Sequence, residues 1–112
     1  MKRVALFFFL VMIWPAICLA DLTGRWSCDD GGVYYVRQVG NAVYWYGEPQ
    51  SGIWSNVFYG RIEGNQIRGS WADVPKGEMM GRGNLTLTIS PNEDEFVATY
   101  KSGGFGGSRW RR

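Results

Sequence analysis

Val33-Tyr34-Tyr35-Val36-Arg37-Gln38-Val39, then Gly40-Asn41, then Ala42-Val43-Tyr44-Trp45-Tyr46-Gly47 is the stretch that decides the fold. Two runs of β-branched and aromatic residues flank a dipeptide suited to a two-residue hairpin turn. The arrangement recurs downstream, where Arg61–Ile67 repeats the R-x-x-G-N-x-[VI] pattern of Arg37–Val43. Outward from this core lie further short runs: Gly24–Cys28, Asn56–Ile62, Gln66–Asp73, Asn84–Ile89, Phe96–Tyr100 and Ser108–Arg111. Clusters of Gly, Asn, Asp and Pro separate them at a nearly even beat. Eight short strands with no helical segment between them predict an all-β domain. The expected form is a small antiparallel eight-stranded barrel, wound up and down as a meander.

Period-two alternation sharpens this. Ile67, Gly69 and Trp71 share a face opposite Gln66, Arg68 and Ser70, and Leu85, Leu87 and Ile89 oppose Thr86 and Thr88. Phe96, Ala98 and Tyr100 are expected to form one inward face in the same way. In strands two to four, Tyr34, Tyr35, Tyr44, Trp45, Tyr46, Phe58 and Tyr59 put aromatic rings on both faces. Some of those rings must remain outside, a pattern that fits self-association. Trp26, Trp71 and Trp110 share a phase with small or aliphatic residues and are expected to fill the barrel as structural core.

The first residues read differently. Met1-Lys2-Arg3 is a positive leader start, Val4 to Trp14 an apolar run, and Cys18-Leu19-Ala20 a small-residue cleavage site. The expected domains are a signal peptide over 1–20 and one barrel over 21–112, secreted or periplasmic. The apolar run is short for a membrane span and Pro15 interrupts it, so no span is expected after cleavage. Losing Lys2 and Arg3 from twelve basic residues leaves ten against ten acidic. A neutral mature chain lacks the footprint of a nucleic-acid binder. Losing Cys18 leaves Cys28 alone, which excludes an intramolecular disulfide and predicts a small buried hydrophobe.

With no His and one mature Cys, Ser–His and Cys–His couples and His/Cys metal sites are excluded. Only carboxylates remain, and Asp29-Asp30 and Asp73 all sit where turn geometry favours Asp. The chain reads as a non-enzyme, without cofactor or metal. In a meander the loops alternate between two ends. The Gly40-Asn41 and Gly64-Asn65 turns and Ser90–Glu95 gather at a compact base. Asp29–Gly32, Glu48–Ser55, Val74–Gly83 and Ser102–Gly107 gather at an open mouth. Tyr46, Trp54, Asn56, Asp73, Lys76 and Tyr100 are the candidate ligand-binding residues there. Their rings would stack on a sugar or other amphipathic molecule while the polar groups orient it.

Leu22-Thr23-Gly24-Arg25-Trp26-Ser27-Cys28-Asp29 resembles the opening of the calycin barrels, both the Gly-x-Trp of lipocalins and the L-T-G-[KR]-W-[ST]-N-D of avidins. The lipocalin likeness implies an Arg from the last strand, Arg109 or Arg111, packed across Trp26. The avidin ureido-binding Asn falls on Cys28 and its nearby Ser on or beside Gly32, so biotin is not implied. Trp26-Ser27-Cys28-Asp29-Asp30-Gly31 is also similar to the early strand of periplasmic lysozyme inhibitors. Two functions are therefore expected: a non-catalytic module binding a small amphipathic ligand or glycan at the mouth, or an interaction protein. The second covers an inhibitor of an extracellular hydrolase and a self-assembling barrel.

Overall fold

A computed structural model describes residues 21–76 and 78–112, and the segment read as a leader lies outside them. Eight strands follow in order: β1 (Gly24–Cys28), β2 (Gly32–Val39), β3 (Ala42–Pro49), β4 (Asn56–Glu63), β5 (Gln66–Asp73), β6 (Arg82–Ile89), β7 (Glu95–Lys101) and β8 (Arg109–Arg111). Each pairs antiparallel with the next, and β8 returns to β1, closing the barrel. The up-and-down meander read from the sequence is the observed fold.

The two Gly-Asn pairs explain the tight end. Val39 pairs with Ala42 and Glu63 with Gln66, leaving two-residue turns. Gly40 and Gly64 carry positive φ of 61° and 64° at the first central position, as a type II′ turn requires. At this base Leu22 is fully buried, and its carbonyl accepts the Trp26 Nε1–H bond at 2.9 Å. Trp26 stacks on Phe96 with centroids 4.0 Å apart. The guanidinium over Trp26 is that of Arg112, just beyond β8, at 4.8 Å from the ring. Arg109 and Arg111 instead point outward to Glu95, because alternation along β8 buries only Trp110.

The upper half is packed with rings. Trp45 stacks on Phe58 at 4.3 Å and lies 5.3 Å from Trp110, which meets Tyr34 edge-on at 5.8 Å. Trp110 Nε1 is buried without a hydrogen-bond partner among the described residues, so ring packing alone holds that side chain. Trp26, Trp71 and Trp110 are all core, as expected. The barrel interior is thus filled by its own side chains.

One alternation fails. The β6–β7 register shifts between Thr86 and Leu87, so that Leu87 faces Ala98 while Thr86 faces Tyr100. Thr99 is the extra residue of this bulge. It throws Tyr100 outward, where it is 56% exposed, rather than into line with Phe96.

Candidate functional site

The four connections expected at the mouth do meet there, and they enclose a cavity of about 140 Å³. Its rings come from Trp54 of the β3–β4 loop, Trp71 near the end of β5, and Phe105 of the β7–β8 loop. Its polar lining is Asp30, Asn56 and Asp73.

Each group arrives for a local reason. Ser102–Ser108 folds back into the barrel end through Gly103 and Gly104, both at positive φ, which buries Phe105 to 7% exposure. There Phe105 meets Trp71 edge-on at 4.9 Å. Trp71 Nε1 donates to the Ser102 carbonyl at 3.0 Å, pinning the loop to β5. Trp54 leans over β2 because position 32 is glycine: a Cβ there would lie 2.7 Å from its ring. Asp73 ends β5 and accepts the Gly81 N–H at 2.7 Å, clamping the base of the β5–β6 loop.

Asp29 and Asp30 divide their tasks. Asp29 turns outward and accepts N–H bonds from Ser108 and Arg109 at 2.8 and 3.2 Å. Those bonds, Ser108 first, hold its carboxyl below the usual range. Asp30 turns inward, taking the Gly32 N–H at 2.8 Å and the Tyr34 hydroxyl at 2.5 Å. A relay continues inward from there. Asn56 Nδ2 donates to the Tyr34 oxygen at 3.4 Å, and Asn56 Oδ1 accepts Trp45 Nε1–H at 2.8 Å. Burial first, then the bond to Asp30, pushes the Tyr34 phenol well above its ordinary value. It remains a neutral hydroxyl that donates to Asp30.

Of the six residues expected to bind ligand, the structure brings Trp54, Asn56 and Asp73 together. Tyr46 and Lys76 lie elsewhere. Trp45 takes the inward position on β3, so Tyr46 must face out, and its hydroxyl donates to Glu48 at 3.1 Å. Lys76 Nζ joins the same Glu48 at 2.7 Å, a contact that lowers the carboxyl and raises the amine. Tyr100 lines a shallow outer groove with Arg68, Ser70, Asn84 and Thr86. Asp30, Trp71, Met79 and Phe105 also line the recess without being among the six, although Asp30, Met79 and Phe105 lie on loops expected at the mouth and Trp71 was expected only as core. The glycines flanking Phe105 on both sides were the available signal that its loop could fold inward. No family model, no curated protein and no solved structure matches the chain.

Proposed function

We propose that this chain is a non-catalytic binding module that takes part of a small amphipathic ligand, or the terminal unit of a glycan, into the mouth cavity. The observation that carries the reading is the meeting of Trp54, Trp71 and Phe105 with Asp30, Asn56 and Asp73 in one recess at the open end. Small-molecule pockets usually span about 300–1,000 Å³. A recess of about 140 Å³ therefore suits one end of a ligand, with the remainder outside. The Gly-x-Trp opening and Arg112 packed over Trp26 support a calycin-like kinship, and the leader supports secretion or export to a periplasm. Native mass spectrometry of protein from its own source should show a bound small molecule. Trp54→Ala should release it and Tyr46→Ala should not. Retention by the Trp54 variant would place the site elsewhere.

The outer wall favours a second reading, an interaction protein. Tyr35 faces Tyr46, and Tyr44 faces Tyr59 with ring centroids 5.1 Å apart. These four rings and Val57 are between 37% and 50% exposed, forming a continuous aromatic surface over β2–β4. Such a wall suits a hydrolase partner or a second copy. Sedimentation velocity on wild type and on Tyr44→Ser/Tyr59→Ser tests it: an assembly lost in the double variant supports the reading, and a monomer that captures no hydrolase opposes it.

A further inference from the structure

The geometry points to an organic cation, a quaternary or methylated ammonium head, as the ligand class of the mouth cavity. This rests on the mouth being the ligand site, and it follows from what the lining offers and what it lacks.

Three aromatic side chains, Trp54, Trp71 and Phe105, wall a recess of about 140 Å³. A cation set against aromatic faces is attracted by their quadrupoles, most strongly for Trp, and methylated ammonium groups add apolar contact to that attraction. Asp30 and Asp73 place two carboxylates in the same lining. No Lys or Arg pairs with either among the described residues. Lys76 of the β5–β6 loop is held by Glu48 at 2.7 Å, and Lys101 at the end of β7 donates to the Gly107 carbonyl and the Ser108 hydroxyl. Both carboxylates of the recess are therefore outside any ion pair among the described residues.

Hydrogen-bond capacity in the lining is weighted toward acceptors. Asn56, the lining residue with an amide, already accepts from Trp45 and donates to Tyr34. The Tyr34 hydroxyl donates its hydrogen bond to Asp30. Open acceptor capacity is largest on Asp73, where among the described residues only Oδ2 has a partner, the Gly81 N–H. The open side-chain donors are the Trp54 indole N–H and one hydrogen of Asn56 Nδ2. A neutral sugar would use those donors but leave both carboxylates without a counter-charge, and an anion would meet two carboxylates. A methylated ammonium ion donates no conventional hydrogen bond and asks only for rings and negative charge. The size agrees as well, since the recess admits a compact head while an attached chain leaves past exposed Met79.

The test uses the folded chain with benzyltrimethylammonium and choline as probes, 3,3-dimethylbutanol as choline's neutral isostere, and chito-oligosaccharides as neutral glycans. Binding is read by calorimetry and by tryptophan fluorescence. The cations should bind at least about ten-fold more tightly than the isostere, a margin that shrinks as salt is added. Asp73→Asn retains an acceptor for Gly81 while removing the charge, and should weaken the cations about ten-fold without weakening the isostere. Trp54→Ala should weaken both, and Tyr46→Ala neither. Equal binding of cation and isostere, or indifference of the cations to Asp73→Asn, overturns the cation assignment. Neutral glycans that bind in a Trp54-dependent way while the cations do not would overturn it too, and leave the mouth reading standing. No Trp54-dependent binding of any probe overturns both.

Discussion

Tyr34 joins the mouth to the core, since its ring packs edge-on against Trp45 and Trp110 while its hydroxyl bridges Asp30 and Asn56. Tyr34→Phe keeps the ring but leaves Asp30 Oδ2 and Asn56 Nδ2 without their partner. Unfolding in urea should show a loss of about 1–3 kcal/mol, the cost of stranding buried polar groups. The ring also requires glycine opposite it. Gly47 faces Tyr34 across β2–β3, and a Cβ at Gly47 would overlap the Tyr34 ring. Gly47→Ala should therefore destabilise by about 1–3 kcal/mol through forced displacement, with a changed tryptophan emission as Tyr34 pushes on Trp45. Cys28, beside Asp30 at the top of β1, has its thiol raised by burial first and by the neighbouring carboxylates after it. A native thiol of that kind stays protonated and inert. Ellman's reagent should react with it at the denatured-state rate only once the barrel is unfolded.

Among the elements, hairpins reduce to local chemistry most completely. Nothing lies within 4 Å of a Cβ built at Gly40 or Gly64, so steric crowding plays no part there. Replacing either by Ala should cost about 1–2 kcal/mol, the penalty of a left-handed φ on an L-residue, visible as a lower denaturation midpoint with unchanged fluorescence. Because these turns depend on two residues, they were legible from Gly-Asn alone, as was the number of strands from the spacing of turns. Side-chain direction was legible wherever strict alternation held, which is why Trp26, Trp71 and Trp110 were readable as core. It failed in two ways. Tyr46 was assigned to the mouth by its position along β3, yet its parity opposes that of Trp45, and one strand cannot turn both inward. Tyr100 has the inward parity, but the Thr99 bulge reverses it. A bulge is settled by how β6 and β7 compete for register, which no local pattern on β7 records. Phe105 was hidden for a related reason. Its burial depends on a recess that exists only after Trp71 and Trp110 have come together.

For the whole molecule, everything depends on one short seam. β8 has three residues, and it alone links β7 back to β1. Side-chain charge reinforces this link. Asp29 accepts the Ser108 and Arg109 backbone N–H groups, and Glu95 receives the Arg109 and Arg111 guanidinium groups. These contacts hold Asp29 below its ordinary 3.8 and Glu95 below its ordinary 4.5. In the unfolded chain both carboxyls take up protons near those ordinary values, whereas in the barrel they resist until the pH is lower. Their contribution to stability is therefore fully present above the ordinary values and is lost as pH falls through the folded-state ones. Thermal midpoints should hold steady from neutral pH to about pH 5 and then decline toward about pH 3. Asp29→Asn keeps an acceptor oxygen but has no charge to lose, so its midpoint should start lower and decline less. Removing 109–112 takes away the seam altogether and leaves β1 and β7 as open edges, along with an uncovered Trp26. Unpaired edges of this kind template intermolecular pairing. The truncated chain should aggregate with rising thioflavin fluorescence under conditions where the full barrel stays dispersed. A truncated chain that remained monomeric, with native tryptophan emission, would show that closure through β8 is dispensable.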